Sequence, residues 1–179
     1  MFEYDNIYIK SIEEDDLNFL SECRNDPDTW KYLGTLDFSN NIRQIEWLKK
    51  SSLDKSKAYF VLYKKGTLSD GTDDTRIGFV RMDEMDHLNR SIRIGGDIHP
   101  HFRGQGLGAK MYELLLKYCF DFLNMHRVWL LVIDYNKRAY TLYNSKGFKL
   151  EGTQREAIFR DGKYYDYLMM SILDTEYKE

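Results

Sequence analysis

The sequence predicts one α+β domain in which helices lie on both faces of a central mixed, mostly antiparallel sheet. Short apolar runs typical of strands and amphipathic patterns typical of helices are interspersed along the chain. The chain has 179 residues, and a single core grows efficiently up to about 250 residues. Because it has only two prolines and no low-complexity segment, we expect residues 1–179 to form a single domain.

The first third of the chain predicts a strand followed by two helices. Residues 7–9 match a short strand, and Ser11 with Glu14 matches a capping box that would open the first helix. That helix should end before Pro27, because proline breaks a helix interior. The second helix is expected from about Asn41, where apolar residues recur at helical spacing.

Three strands of antiparallel type follow. They are predicted at residues 58–63, 77–82 and 91–98, and a loop rich in glycine and aspartate at residues 66–75 joins the first two. The third strand contains Gly95 and Gly96. A glycine pair inside a strand indicates a bulge, or a place where the sheet splays and a ligand approaches the backbone.

The second half of the chain predicts helix, strand, helix and hairpin. A strong helix pattern runs from residue 107 to about residue 124, and a buried strand is expected at 128–133. A short helix at 136–146 should be closed by Gly147. The remaining strands pair across a turn at residues 160–162, because Asp-Gly is typical hairpin chemistry.

Composition excludes several classes of protein. Lys and Arg number 26 and Asp and Glu 29, so the net charge is −3, which gives no overall attraction for nucleic acid or for an anionic membrane surface. The two cysteines and four histidines form no metal-ligand pattern, so we expect no metal. The acidic start of the chain and the lack of a long apolar run favour a cytoplasmic protein without a membrane segment.

The segment from Arg103 to Gly108 predicts an anion site. Three glycines stand between a strand and a helix, so backbone N–H groups and the positive end of the helix dipole meet where a ligand can approach closely. Arg103 adds a charge, which favours a pyrophosphate. Gly104-x-Gly106-x-x-Ala109 also matches a dinucleotide fingerprint, although Pro100 and the lack of further parallel βαβ units count against that alternative.

Three segments of the second half carry a family pattern. Residues 103–108 match an Arg/Gln-x-x-Gly-x-Gly/Ala signature, and Asn136-x-x-Ala139-x-x-x-Tyr143 precedes Gly147 and Phe148. Residues 151–170 supply the third segment. Together they resemble the GNAT superfamily of acetyl-CoA-dependent N-acetyltransferases, in the branch with spermidine, ribosomal-protein and amino-sugar-nucleotide acetyltransferases. The resemblance implies a GNAT-like domain whose sheet splays between two strands, with acetyl-CoA as co-substrate.

The resemblance also implies roles for individual residues. The pyrophosphate of coenzyme A would lie on the backbone of Arg103, Gly104, Gln105, Gly106, Leu107, Gly108 and Ala109. The Ile98 backbone is the candidate donor to the thioester carbonyl, and Tyr143 matches the tyrosine that protonates the departing sulfur. Asn136 would cap the helix of Tyr143 and is a candidate contact of the cofactor arm.

The general base stays open at this level. Asp97 lies next to the expected thioester position, Glu84 lies at the end of the adjacent strand, and His99 is nearby in sequence. Arg93 stands roughly where some relatives carry an acid, and a water relay is an alternative. Direct attack of the amine on the thioester is the implied reaction.

The acceptor is expected to be a small-molecule primary amine. Arg24-Asn25-Asp26-Pro27, followed by Trp30, resembles the Arg-Asn-x-Pro motif of acetyltransferases that act on nucleotide-linked amino sugars, where an arginine would pair with phosphate. Arg24, Asn25 and Trp30 are therefore the candidate acceptor-binding residues. The acidic run at residues 13–16 suits a polyamine instead, and a protein N-terminus is a further alternative. A domain that binds coenzyme A or a nucleotide without turnover is the non-enzymatic alternative. The aromatic hairpin at the C-terminal end is a candidate homodimer contact.

Overall fold

Eight strands form a single open sheet in the computed structural model, which describes residues 1–34, 40–66, 68 and 72–177. The strands are β1 (Phe2–Tyr4), β2 (Ile7–Ser11), β3 (Ala58–Lys64), β4 (Thr75–Asp86), β5 (Ser91–Ile98), β6 (Arg127–Ile133), β7 (Lys149–Arg160) and β8 (Lys163–Leu173). Their order is β1-β2-β3-β4-β5-β6-β8-β7. Only β5 and β6 run parallel, so the predicted mixed, mostly antiparallel sheet is confirmed.

Helices lie on both faces of this sheet, as predicted. They are α1 (Leu17–Asn25), α2 (Pro27–Trp30), α3 (Asn41–Leu53), α4 (Leu107–Lys117) and α5 (Lys137–Ser145). α4 continues into a π-helical turn at Tyr118–Phe122. Within the described parts of the chain, no helix combines the length and the apolar character that crossing a membrane requires.

Two apolar clusters fix the helices to the sheet. On one face, Leu20 and Cys23 of α1 pack with Val61 and Phe79 of the sheet, and α3 adds partly buried side chains. On the other face, the buried side of α4 packs against residues that include Ile92 of β5, and α5 joins the same cluster. α1 and α4 therefore each bury an apolar stripe, which is the amphipathic pattern of a surface helix, whereas α3 and α5 contribute partly buried apolar side chains.

The start of the first helix differs from the prediction. Ser11 is the last residue of β2, and the chain enters α1 through a 3-10 turn at Glu14–Asp16. The backbone N–H of Glu13 donates to the Asp16 carboxylate at 3.0 Å, so Glu13 and Asp16 form the box that was assigned to Ser11 and Glu14. The pairing of β2 with β3 extends far enough to hold Ser11 in the sheet.

The sheet splays between β5 and β6. The two strands pair only from Ser91 to Arg93, opposite Arg127 to Trp129. Beyond that point β6 continues to pair with β8 as far as Ile133, and β5 continues to pair with β4 as far as Ile98. The two strands part in the direction of the glycine loop, which leaves a gap between their C-terminal halves.

Of the two alternatives predicted for the glycine pair in β5, the structure has the splay of the sheet and no bulge at these residues. Pairing with β4 stays regular from Gly78↔Ile98 to Asp83↔Arg93, and the irregularity lies between Asp83 and Asp86. The glycines provide space instead. A Cβ on Gly95 would lie 2.8 Å from Arg81 Nε, and one on Gly96 would lie 2.9 Å from Met111 Sδ of α4. Gly95 and Gly96 therefore let a side chain cross β5 on one face and a helix approach it on the other.

Candidate active site

A cavity of about 610 Å³ opens where β5 and β6 part. Its walls include β5, β6, α1, α3 and the two tyrosines described below. The residues of β5 and β6 that line it are Arg93, Ile94, Gly95, Gly96, Asp97, Leu130, Leu131, Val132 and Ile133. A cavity of this size can enclose the reacting ends of two small molecules, and it connects the two faces of the sheet.

The glycine loop presents exposed backbone at the beginning of α4. Gly104 has φ +77° and Gly106, which precedes the helix, has φ +76°, a left-handed conformation that favours glycine. Apart from the chain neighbours, no described residue has an atom within 4 Å of a Cβ placed on either glycine. The N–H groups of Arg103 and Ala109 donate to the Pro100 and Gly106 carbonyls. The open space and the helix N-terminus fit a pyrophosphate held by the amides between those two residues.

Arg103 is engaged with the protein rather than directed into this open space. Its Nε donates to the Ile98 carbonyl at 3.1 Å, one terminal nitrogen donates to Asp26 at 3.2 Å, and the other contacts the Thr29 hydroxyl. The side chain therefore ties the glycine loop to α2 and to the end of β5. The candidate anion site therefore consists of the loop backbone, and the Leu107 side chain is buried in the core.

The Ile98 amide faces the gap between the strands. The His99 N–H donates to the Ile77 carbonyl at 2.9 Å, and facing residues of an antiparallel pair alternate between bonded and non-bonded positions. Ile98, opposite Gly78, is therefore at a non-bonded position, and its N–H and C=O point away from β4. Because Arg103 already donates to the carbonyl, the N–H remains as the donor at this site.

Tyr143 enters the cavity from α5. Its hydroxyl accepts a hydrogen bond from the hydroxyl of Tyr112, 3.1 Å away on α4. Burial raises the pKa of Tyr143, and the hydrogen bond from Tyr112 opposes that rise. Asn136 caps α5 by accepting from the Ala139 N–H at 3.2 Å, and it also lines the cavity. At neutral pH Tyr143 is thus a neutral hydroxyl that can donate a proton.

Asp97 lies on the cavity wall, one residue before Ile98. Burial raises the pKa of its carboxyl above the ordinary value of 3.8, while the positive charges of Arg81, Arg103 and Arg24 oppose the rise. Its charge in turn raises the pKa of Tyr143. A carboxylate with a raised pKa in a cavity is a suitable proton acceptor.

The structure places the other two candidate bases outside the cavity lining. Glu84 lies at the irregular end of β4 with a left-handed φ of 50°, and its exposed carboxylate pairs with Arg93 at 3.0 Å. His99 is buried against Phe19, with ring centroids 5.3 Å apart. The carboxylate that β4 does contribute to the cavity is Asp83, which binds Arg93.

Only one of the three residues predicted to bind the amine acceptor lines the cavity. Arg24 of α1 lines it, whereas Asn25 and Trp30 are not among its lining residues. The segment after Arg24 has a structural role, because the Asp26 carboxylate caps α2 by accepting from the Thr29 N–H at 2.8 Å. An Asp-Pro sequence at a helix start explains the motif without a ligand.

Several cavity residues were missed from the sequence. Tyr112 follows Met111 on α4, a helix for which the hydrophobic pattern predicted only core positions. Arg81 lies on β4, and the sequence did not predict which side chains of that strand face the cavity. Alternation along β4 was the available signal, because Phe79, Arg81 and Asp83 lie on the same face of a strand.

Comparisons with known proteins agree with this geometry. The model of the acetyltransferase (GNAT) domain matches residues 6–149. Spermidine N(1)-acetyltransferase of Escherichia coli (strain K12) is 24% identical over 172 residues, covering 96% of this chain and 88% of that protein.

Two solved structures from Vibrio cholerae have the same fold. Spermidine N-acetyltransferase in complex with CoA and spermine has a TM-score of 0.88 at 27% identity, covering 96% of this chain and 98% of that one. A dodecameric structure of the same enzyme in an intermediate state has a TM-score of 0.78 at 26% identity and covers 95% of each chain. This chain therefore belongs to the GNAT acetyltransferase family and is an N-acetyltransferase that uses acetyl-CoA.

Proposed function

We propose that this protein acetylates a primary amine of a small molecule at the gap between β5 and β6. The observation that carries the proposal is the convergence of four elements on that gap. The glycine loop lies at one end, the Ile98 amide faces the gap, and Asp97 and Tyr143 line the cavity. Each supplies one of the functions that transfer of an acetyl group to an amine needs.

The backbone of residues 103–109 would hold the pyrophosphate of acetyl-CoA, and Asn136 would contact its arm. When bound, acetyl-CoA supplies a thioester as the activated acyl group. The N–H of Ile98 then donates to the carbonyl oxygen that gains negative charge during transfer. A fixed amide in a water-poor gap stabilises such charge more effectively than mobile water does.

Asp97 and Tyr143 would transfer the two protons of the reaction, one from the amine nitrogen and one to the leaving sulfur. Asp97 takes the proton that the attacking nitrogen must lose, and its raised pKa makes it a stronger base than an exposed aspartate. Tyr143 gives its proton to the sulfur that leaves and is supported by the hydrogen bond from Tyr112. Asp97 gains one proton and Tyr143 loses one. A single proton transfer from Asp97 to Tyr143 therefore restores the starting charges of both side chains.

Two small-molecule acceptor classes have support from different observations. The relatives named as spermidine acetyltransferases support a polyamine more directly than the nucleotide-linked amino sugar expected from the sequence. The position of Arg24 on the cavity wall supports an amine that also carries phosphate or another acid. Both classes share the primary amine, which is the common requirement of the reaction.

Self-association through the C-terminal hairpin is a further part of the proposal. β7 is an edge strand, and near the hairpin turn the exposed ring of its Phe159 packs in a tilted arrangement against the exposed ring of Tyr164 on β8, with centroids 5.1 Å apart. An exposed aromatic pair beside a sheet edge is suited to pack against a second copy. Light scattering during gel filtration tests this, and a Phe159→Ser, Tyr164→Ser double variant should shift the assembly towards monomer.

A thiol-release assay tests the proposed reaction. The protein is incubated with acetyl-CoA and a panel of amines, and free coenzyme A is measured with a thiol reagent while mass spectrometry identifies the acetylated product. Release that depends on an amine, together with an N-acetyl product, supports an enzyme. Binding of coenzyme A without release for any amine would support the alternative of a domain that binds the carrier without turnover.

A further inference from the structure

The face of the cavity that α1 and α3 cover is rich in arginine. Register pairs Arg81 with Gly95 and Asp83 with Arg93, so these charged side chains lie on one face of the sheet. Arg24 of α1 and Arg43 of α3 line the same cavity from the helices. The remaining carboxylate is Asp97. The described lining residues therefore carry four positive and two negative charges.

The two lining carboxylates neutralise some of the four arginines more fully than others. Asp83 is buried and binds Arg93, which also pairs with the exposed Glu84 at 3.0 Å. Arg93 is therefore matched by two carboxylates. Asp97 is a single carboxylate that faces the positive charges of Arg81, Arg103 and Arg24. The described lining arginines therefore outnumber the lining carboxylates by four to two.

Arg81 has an incompletely paired guanidinium. Its Nε is buried and has no hydrogen-bond partner in the described part of the protein, and the Asp83 carboxylate lies 3.8 Å away. The absence of a side chain at Gly95 allows this guanidinium to lie across β5. The planar guanidinium is thus held at the cavity wall, where its N–H groups can donate to the oxygens of a carboxylate or a phosphate.

We propose that the amine acceptor carries an acidic group, a carboxylate or a phosphate, which Arg81 binds with the help of Arg24 and Arg43. This inference rests on the proposed function and specifies its substrate class. The acidic end lies under α1 and α3, while the amine end reaches Asp97 and the gap. Trp47 and Tyr59, whose rings meet edge to face at 4.7 Å, provide an apolar wall for the part between the two ends.

The same charges disfavour a polycation. A polyamine would bring two or more ammonium groups into a space whose described walls carry excess positive charge, and burial strengthens repulsion between like charges. The spermidine acetyltransferases to which this chain is similar share its fold and its reaction. We infer that the residues around the acceptor have diverged to a different class of amine.

A matched pair of acceptors tests the inference. 5-Aminopentanoate and 1,5-diaminopentane have the same chain length and the same reacting amine but opposite charges at the far end. We expect kcat/KM to be at least about 10-fold higher for the amino acid, because a charge-assisted hydrogen bond replaces a repulsion. A third acceptor, 4-aminobutyl phosphate, distinguishes phosphate from carboxylate recognition, and spermidine and a nucleotide-linked amino sugar complete the panel.

Variants of Arg81 assign the effect to this side chain. Arg81→Gln should reduce the preference for the acidic acceptor, measured as the ratio of the two kcat/KM values, to less than about 3-fold. The ratio is the readout because Arg81 also lowers the pKa of Asp97, so its loss can change kcat with both acceptors alike. Arg81→Lys keeps the charge and should retain part of the preference. Arg155→Gln, on the exposed face of β7, is the matched control and should leave the preference unchanged.

Calorimetry provides a readout that does not depend on turnover. In the presence of coenzyme A, 5-aminopentanoate should bind the protein, and Arg81→Gln should weaken that binding about 10-fold or more. Preference for the diamine or spermidine, or an acid preference that Arg81→Gln leaves intact, overturns this inference but leaves the proposed function standing. If no amine in the panel supports thiol release, the proposed function is itself overturned, and this inference with it.

Discussion

The hydroxyl of Tyr112 on α4 donates a hydrogen bond to the hydroxyl of Tyr143 on α5, with 3.1 Å between the two oxygens. The bond joins the helix that begins at the glycine loop to the helix that carries the proposed acid. Tyr112 is buried, and burial raises its pKa well above the ordinary value of 10.0, so it stays protonated. With Tyr112 as donor, the proton of Tyr143 is left for the departing sulfur.

Tyr143→Phe removes that proton. We expect kcat to fall about 100-fold or more while the affinity for coenzyme A changes little, because a general acid acts only during the reaction. Steady-state kinetics with calorimetry of coenzyme A binding checks both expectations. An unchanged kcat would exclude Tyr143 from the rate-limiting step.

Tyr112→Phe removes a positioning group and keeps the ring. Because the hydrogen bond from Tyr112 lowers the pKa of Tyr143, its loss should raise that pKa further and make Tyr143 a weaker acid. We expect kcat to fall about 10-fold and the alkaline limb of the pH profile to move to higher pH. Tyr118→Phe, in the π-helical turn, is the control. A slower enzyme with an unmoved limb would indicate a packing role only.

Asp97→Asn tests the base through pH dependence. The base must be ionised to accept a proton, and burial raises the pKa of Asp97 above 3.8, so activity of the parent enzyme should fall as pH falls through that raised pKa. The variant should lose kcat/KM by about 100-fold, and the acid limb that Asp97 causes should disappear. If the limb persists in the variant, another group or a water relay takes the proton.

Gly106→Val tests the anion site. Valine at φ +76° is strained, and its branched side chain would occupy the open space over the loop amides. We expect calorimetric binding of coenzyme A to be largely lost. Gly152→Val on β7, at another glycine with open space, is the control and should bind normally. A folded Gly106→Val protein with unchanged affinity would place the pyrophosphate elsewhere.

Arg103→Gln separates a charge that binds the carrier from a side chain that holds the loop. The contacts of Arg103 with Ile98, Asp26 and Thr29 are internal, so its loss should lower the free energy of unfolding by about 1–3 kcal/mol. Chemical denaturation measures this change. A large loss of coenzyme A affinity with unchanged stability would restore the phosphate-pairing role expected from the sequence.

Local patterns made much of the fold predictable. β5 begins and ends as expected, because its apolar run is bounded by polar turn residues on one side and His-Pro on the other. Pro27 marked the end of α1, since proline is tolerated only in the first turn of a helix. The predicted loop at residues 66–75 falls in part on residues outside those the structure describes, and the single-domain organisation remains a prediction.

The sequence did not predict which way the side chains around the site point. Arg103 has the charge that a pyrophosphate needs, but only the position of α2 shows that Asp26 and Thr29 engage it. Glu84 and Asp83 are adjacent, and the irregular end of β4 decides which of them faces the cavity. The Arg81 side chain lies over Gly95 because of the register between β4 and β5, and no local sequence pattern specifies that register.

A crystal structure with coenzyme A bound tests the central claim most directly. The account predicts pyrophosphate oxygens within hydrogen-bond distance of backbone amides in residues 103–109 and a thiol end in the gap between β5 and β6, near the Tyr143 hydroxyl. A carrier bound elsewhere, or a gap that β5 and β6 close by pairing beyond Arg93 and Trp129, would contradict it.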